Sequence, residues 1–549
     1  RLIGYKISPI LWSQIQNSTK KKISLSAGRV QSVVMKLLIE REKEINSYES
    51  SGYYRTLGGF KLNNKDTSIK TELSHKLTDK AKVKTFLNSC KDAEFIVDSV
   101  VVKKSTRKPS PPFITSTLQQ ESSTKLRFSP KMTMDAAQKL YEAGFITYMR
   151  TDSVELSKDA IDMITEYVTS NYGDEYLKVN YYKNKGKKNA QEAHEAIRPC
   201  NINTRNIDDN SSLGNYEKRL YSLIWRRTVA SQMSPAKVDI LTTKISISNV
   251  PEYCFTSKSE KITFDGFLKV YKPSNIDEDE EDDKLETKFI KLKKGDKLTY
   301  ESIVSNEKFT KPPHGRFSEA SLIKKLDEMG IGRPSTYSNM VTVVQDRNYA
   351  VKKDKEGEEK PIRIYHLKSN NIEKKQETIK VGGEKQKLFP SQIGIIVNEF
   401  LLKHFDNIID YKFTSKNEDS LDEISNGTEL WCDIVKKIYE MFNPKVVELS
   451  SGSNMEKDKY KRILGNDPDT GYQISTYIAK YGPVVQLSQP DNKHKFAPLK
   501  DIDIKDVTLE QALNLLKYPY ILCNYKSNEV TEVWIYTNEW VASMKKAKE

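Results

Sequence analysis

Helix-patterned and strand-patterned stretches alternate along the chain and divide it into blocks. Residues 1–50 carry helical spacing: after Ser26-Ala27-Gly28, apolar positions return at Val33, Val34, Leu37, Leu38 and Ile39. From 52 to 108 the pattern is strand, as in Phe95-Ile96-Val97-Asp98-Ser99-Val100-Val101-Val102. Pro109-Ser110-Pro111-Pro112 reads as a linker. Helix returns from about Thr115, turns at Phe128-Ser129-Pro130 and resumes from Thr133 to Ala143, where Gly144 caps it. Phe145 to Met149 then reads as a short strand. Lys183 to Asn189 is a basic loop, and Ala190 to Ile197 a short helix stopped before Pro199. Residues 215–235 read as helix and 237–305 as strands, interrupted by a solvated acidic run from Asp277 to Asp283.

The second half repeats one of these arrangements. Ser318 to Met329 is amphipathic, with Leu322, Ile323, Leu326 and Met329 on one face. Gly330 to Thr336 is a turn, followed by a helix to about Asp346 and a strand at Asn348-Tyr349-Ala350-Val351. The charged loop Lys352 to Lys360 and the strand Ile362-Arg363-Ile364-Tyr365 complete a winged helix-turn-helix pattern. Thr115 to Met149 has the same order of helix, proline-containing turn, helix and strand. Such units commonly bind nucleic acid, and others serve only as scaffolds. Two more helices are predicted between Phe389 and Phe442. Beyond 451 the pattern becomes a small β/α module, with a hairpin turn at Leu464 to Gly471 and a helix at Leu509 to Leu516.

A chain of 549 residues has room for roughly three to five domains. Its net charge of +14 suits a polyanionic partner, although lysine-rich loops would give the same excess. The five cysteines (Cys90, Cys200, Cys254, Cys432, Cys523) form no CxxC pair. That argues against a zinc ribbon and fits reduced thiols inside a cell. There is no apolar run long enough for a membrane span and no signal peptide. The first residue is arginine, and the chain reads as an N-terminally truncated piece.

The chemistry concentrates in Phe145-Ile146-Thr147-Tyr148-Met149-Arg150-Thr151-Asp152-Ser153. In extended backbone, residues i and i+2 share a side, so Tyr148 and Arg150 point together. A guanidinium favours a phenolate and also holds a phosphate, which suits a nucleophile for a phosphodiester. A half-buried strand tyrosine with a surface arginine would look the same locally. Ser26 to Ser32 places small residues, Arg29 and Gln31 at a helix start, a setting for phosphate contact or for plain capping.

Three stretches together resemble the type IA DNA topoisomerases, in their bacterial topoisomerase I branch. They are Ser26-Ala27-Gly28-Arg29-Val30-Gln31-Ser32, Ile146 to Ser153, and Ala193-His194-Glu195-Ala196-Ile197-Arg198-Pro199. Phe309 to Pro313, Phe317 to Leu322 and Gly330 to Tyr337 match the same family, so the resemblance covers about 1–445. Residues 460–520 resemble a zinc-free C-terminal repeat of some bacterial members. The fold implied is a multidomain α+β chain: a toroidal arch of helical, winged helix-like domains and a β-rich hinge, plus the small C-terminal module. The expected segments are 1–48 and 309–450 for the gate and DNA-binding domain, 49–108 and 237–308 for the hinge, 109–236 for the tyrosine-bearing helical domain, and 451–549 for the C-terminal repeat.

The resemblance also implies a function: transient cleavage of one DNA strand through a 5′-phosphotyrosine, strand passage and religation, relaxing negative supercoils. It makes Tyr148 the nucleophile, Arg150 its phosphate-binding partner and His194 a hydrogen-bond donor to the scissile phosphate. Arg1, Ser26, Arg29, Gln31, Ser32, Arg198 and Arg333 fall at DNA-holding positions, and Ser335 and Thr336 stand at a helix start, a setting for phosphate contact or for helix capping. Expected partners are single-stranded segments of negatively supercoiled DNA, met by a monomer inside the cell and away from membranes. The covalent ester would store the cleavage energy, so no ATP is required, and no Walker motif is present. The family uses Mg²⁺ on an N-terminal Toprim domain. Neither its glutamate and lysine nor its DxD motif is found here, and Asp501-Ile502-Asp503 lacks the surrounding pattern. The chain by itself is therefore expected to bind single-stranded DNA but to relax supercoils poorly. A DNA-binding scaffold without catalysis is the alternative. Other tyrosine nucleophile enzymes would need an arginine-rich triad or paired metal-binding histidines.

Overall fold

The computed structural model describes residues 2–15, 25–62, 68–183, 195–208, 211–274, 289–290, 292–451, 461–479, 482–490, 494–499, 502, 504, 506–517, 520–523, 532–535 and 542–545. Arg1, His194, most of the basic loop, the acidic run, and Asp501 and Asp503 lie outside the described residues. The architecture is mixed α+β, and the chain divides into two compact units. One comprises 1–39, 343–351 and 389–549; the other comprises 40–342 and 352–388.

The larger unit is built on an eight-stranded antiparallel sheet. Its order is Gly52–Leu62, Ser68–Leu73, Cys254–Phe264, Ala236–Ile247, Phe95–Arg107, Lys297–Phe309, Glu358–Lys368 and Asn371–Val381. Gly52–Leu62 also pairs along Lys297–Phe309, so the first six strands close into a ring. Closure removes the open edges that a flat sheet would expose. Phe60, Phe95 and Phe255 fill the ring, with centroids 4.9 Å and 5.0 Å apart for the pairs that share Phe60. The strands expected on both sides of the tyrosine-bearing segment thus belong to one sheet.

A helix at Lys80–Lys91 packs on this core and was not expected among the strands. Its signal is nonetheless present: Val83, Phe86, Leu87 and Cys90 fall at helical spacing and are buried, and Asp79 caps it through the Lys82 N–H. The wing is a second correction. Ala350–Lys355 pairs with Glu384–Pro390, whereas Glu358–Lys368 joins the large sheet beside Lys297–Phe309. The reason is burial: Ile362, Tyr365 and Leu367 are apolar and buried, and the Tyr365 ring lies 5.9 Å from that of Tyr54.

The strands Phe95–Arg107, Ala236–Ile247 and Cys254–Phe264 run beyond the ring as a ribbon, where Arg107 faces Ala236 and Lys237 faces Phe264. A helical body grows from its end. It contains Thr115–Leu126, Pro130–Glu142, Lys158–Tyr172 and Asn215–Ser231 around Leu118, Leu140, Ile164, Tyr221 and Trp225. Phe267 and Tyr271, just past the ribbon, complete the same core.

In the other unit, Leu2–Ile15 packs against Trp431–Ser451, where Gln14 Nε2 donates to the Leu449 carbonyl at 3.2 Å. Between Phe389 and Phe442 three helices begin rather than two: Gln392–Phe405, Tyr411–Ser425 and Trp431–Ser451. The C-terminal module has a four-stranded antiparallel sheet, turned at Asp467 to Gly471, with the helix Leu509–Leu516 against it.

Candidate active site

The segment around Tyr148 is shaped by the helix before it. Ser129 caps Pro130–Glu142 at its start by accepting the Met132 N–H at 3.2 Å. At its end Gly144 takes φ +75° and its N–H donates to the Tyr141 carbonyl at 2.9 Å, while Phe145 N–H donates to Leu140 at 2.9 Å. Such a left-handed residue ends a helix and reverses the chain with little strain only as glycine. The expected strand does not form. Ile146 makes an isolated bridge to Pro199, and Thr147 N–H donates to the Arg198 carbonyl at 2.9 Å. Glu195 to Ile197 are likewise not helical; Ile197 bridges to Phe113. The chain from 195 to 200 is a strap that holds 145–147 from one side.

Thr115 holds the segment from the other side. Its N–H donates to the Thr151 carbonyl at 3.0 Å, and its hydroxyl lies 2.7 Å from the Met149 carbonyl. The same Oγ1 accepts the Thr151 N–H at 3.0 Å. Ile146, Met149, Thr151 and Ser153 are buried, whereas Tyr148 is 41% exposed and Arg150 is exposed. Burial at Met149 with exposure on either side retains the alternation of an extended strand, with the sheet ladder replaced by side-chain and bridge contacts. The Tyr148 ring meets the Tyr141 ring at 5.2 Å, edge to face at 68°.

Arg198 is committed to the strap. It donates from Nε to Glu195 Oε1 at 2.8 Å, from Nη2 to Oε2 at 2.9 Å and from Nη1 to the Pro199 carbonyl at 3.0 Å. Such a fork is rigid as well as strong. Burial pushes the Glu195 carboxyl up, but Arg198 and the Ser157 N–H outweigh it, and its pKa lies below the ordinary carboxylate range.

The helix-turn-helix at 319–346 meets the helical body beside this segment. Ser318 caps Glu319–Glu328, and Gly330 and Gly332 turn the chain with φ +67° and +94°. Thr336 Oγ1 accepts the Arg333 N–H at 2.8 Å, and with exposed Ser335 it stands just before Tyr337–Asp346. Arg333 Nη1 donates to the Gly332 carbonyl at 2.9 Å. Across the packed helices Thr115–Leu126 and Glu319–Glu328, Ser116 Oγ donates to Asp327 Oδ2 at 3.0 Å. Tyr337 OH donates to Asp327 Oδ1 at 2.9 Å. Burial, then the carboxylates of Asp327 and Asp152, push the Tyr337 phenol far up, partly offset by Arg333. Asp152 of the tyrosine segment and Arg333 of the turn are therefore neighbours of one buried phenol.

Tyr148, Arg150, Arg198, Arg333, Ser335 and Thr336 all lie in the larger unit, whereas Ser26, Arg29, Gln31 and Ser32 lie in the other. There Gln31 Nε2 donates to the Ser26 carbonyl at 2.8 Å and lies 2.9 Å from Ser26 Oγ. Tyr349 OH donates to the same carbonyl at 2.8 Å. Arg29 donates to the Thr414 carbonyl at 2.9 Å and forms an ion pair with Glu418, and buried Ser32 accepts the Gly28 N–H at 3.3 Å. Thr115, Ser116, Asp327 and Tyr141 carry no motif that would single them out beforehand, whereas Tyr337 ends the stretch Gly330 to Tyr337 without having been singled out as a site residue. Among the described residues no group of three or more His, Cys, Asp or Glu side chains could hold a metal ion. The described residues thus do not fit the Mg²⁺ that the resemblance implies.

The site segment thus presents an exposed tyrosine and arginine on a helical body carried by a strand ribbon, with a helix-turn-helix packed alongside. A family model described as DNA topoisomerase matches residues 1–367, and the chain belongs to that family, the bacterial-type, type IA DNA topoisomerases. A protein of Acanthamoeba polyphaga mimivirus described as "DNA topoisomerase 1 type prokaryotic" is 41% identical, over 96% of this chain and 65% of its own length. "DNA topoisomerase 1" of Xylella fastidiosa (strain Temecula1 / ATCC 700964) is 35% identical, over 96% of this chain and 63% of its own length. The chain thus spans just under two thirds of these relatives. The structure of full-length topoisomerase I from Thermotoga maritima superposes with a TM-score of 0.66 at 28% identity, covering 91% of this chain and 75% of that one. Among the described residues no helix is long and apolar enough to cross a membrane.

Proposed function

We propose that this chain carries the nucleophile of a DNA topoisomerase, with Tyr148 attacking one strand of DNA. The Tyr148 phenol gives up its proton as its oxygen attacks phosphorus, the bond to the 3′ oxygen breaks, and that oxygen takes up a proton and leaves as a hydroxyl. A 5′-phosphotyrosine ester remains. It conserves the phosphodiester's energy, so the 3′ hydroxyl reseals the strand by the reverse attack without ATP. Arg150 offers a cation to the charge that gathers on the phosphate oxygens. The helical body, joined through the ribbon, lifts away to let the second strand pass. DNA with single-stranded character is the substrate.

The observation that carries this reading is the exposure of Tyr148 and Arg150 on a segment whose alternate residues are buried and tied down on both sides. The test is a labelled single-stranded oligonucleotide incubated with the intact protein and trapped in denaturant. A covalent adduct is expected with the native chain and none with Tyr148→Phe. An adduct that survives the substitution sinks the assignment, and native protein that binds DNA without forming any adduct favours a scaffold.

A further inference from the structure

Tyr141 stands in the last turn of Pro130–Glu142, one position past buried Leu140, and its ring is 42% exposed. An exposed tyrosine at a helix end normally needs no explanation. This one lies edge to face with Tyr148 at 5.2 Å. The pairing is built into the backbone: the Gly144 and Phe145 amides close the helix on Tyr141 and Leu140, and the chain returns over its last turn seven residues on. Neither phenol hydroxyl has a hydrogen-bond partner among the described residues, so hydrogen bonding does not hold the Tyr148 ring.

A surface tyrosine without such a contact samples several rotamers, and an attacking oxygen is effective only when held near its attack geometry. We infer that Tyr141 is a positioning residue, whose ring acts as a fixed wall that holds the Tyr148 phenol in one rotamer for attack on the phosphodiester. The inference rests on Tyr148 being the nucleophile. The contact uses ring edge and ring face, so it does not require the Tyr141 hydroxyl. The ring could instead stack a DNA base, which would make it a binding residue, and the two roles separate kinetically.

The test compares native protein, Tyr141→Phe, Tyr141→Ala and Tyr148→Phe, measuring oligonucleotide affinity and single-turnover adduct formation at saturating DNA. Tyr141→Ala is expected to form adduct roughly two- to tenfold more slowly, the range of one aromatic pair, with affinity unchanged. Tyr141→Phe is expected to match the native rate. Equal rates for native and Tyr141→Ala overturn the inference. So does a weakened affinity with the saturated rate intact, which marks a base-stacking platform, and so does a slow Tyr141→Phe. Circular dichroism checks that Tyr141→Ala folds, and Tyr141→Leu, which keeps an apolar side chain without a ring, is expected to be as slow as Ala. An adduct surviving in Tyr148→Phe identifies failure of the underlying assignment instead.

Discussion

Ser116 and Asp327 offer a direct way to test whether the packed helices Thr115–Leu126 and Glu319–Glu328 form the closed state of a gate. Ser116 belongs to the helical body, follows the residue that clamps the Tyr148 segment, and is 1% exposed. Its hydroxyl donates to a carboxylate at 3.0 Å, and that carboxylate keeps the Tyr337 hydroxyl at 2.9 Å if Ser116 is lost. Ser116→Ala therefore removes one charge-assisted bond while Asp327 stays solvated by Tyr337. Such a bond is worth about 1.5 kcal/mol net, a factor of ~10 in the closed-to-open ratio. Separation of the helices returns Asp327 to water in native and variant alike, so the difference falls on the closed state. Single-molecule energy transfer between a dye on the exposed side of Lys158–Tyr172 and one on Asn371–Val381 should show the open population rising about tenfold. Asp327 has other partners, so a double-mutant cycle with Asp327→Asn isolates the pair, and a coupling of about 1 kcal/mol is expected. An unchanged open population in a folded Ser116→Ala protein, or full additivity in the cycle, refutes the latch.

Two further outcomes follow from the same unit. Gly332 holds φ +94°, and a Cβ there would meet Met340 Sδ at 2.8 Å and Tyr337 Cε1 at 3.0 Å, so Gly332→Ala should cost about 2–4 kcal/mol in denaturant unfolding; a cost under about 0.5 kcal/mol contradicts the packing described. The Glu195 carboxyl is depressed in the folded state, so its contribution is fully present above its unfolded pKa, about 4.3, and is lost as pH falls through the folded value. The melting temperatures of native and Glu195→Gln protein should differ at neutral pH and converge as the pH falls through the depressed folded value of the carboxyl, and a constant gap down to strong acid would count against the pair.

Much of the site could be read in the sequence because short motifs combine local structure and chemistry. Gly144 announces the helix end that aims Tyr148, and alternation marks Tyr148 and Arg150 as sharing a side. The helices Leu509–Leu516 and Glu319–Glu328 came from local pattern alone. The misreadings came where partners, not propensity, decide. Ile362 to Tyr365 is strand-like wherever it goes, and only the fit of Tyr365 against Tyr54 sends it to the large sheet. Val83, Phe86, Leu87 and Cys90 have the spacing of a helix but lie between strands, whose alternating pattern flanks them on both sides.

By itself, the sequence determined the helices with strong apolar periodicity, their caps, and the residue types able to attack and hold a phosphodiester. Those properties are local: a few consecutive side chains and backbone angles set them. Only the tertiary structure decided that Gly52–Leu62 and Lys297–Phe309, paired where Thr56 meets Ser305 249 residues on, close one ring, and that Arg198 is taken up by Glu195 in a strap under Tyr148. It alone joined Ser116, Asp327 and Tyr337, and stood Tyr141 against Tyr148. The ring closure and the Ser116–Asp327 contact depend on which distant surfaces bury each other best, and no short window of sequence contains both partners; Glu195–Arg198, Tyr337–Asp327 and Tyr141–Tyr148 are near in sequence, and there the path of the folded backbone decides that the side chains meet.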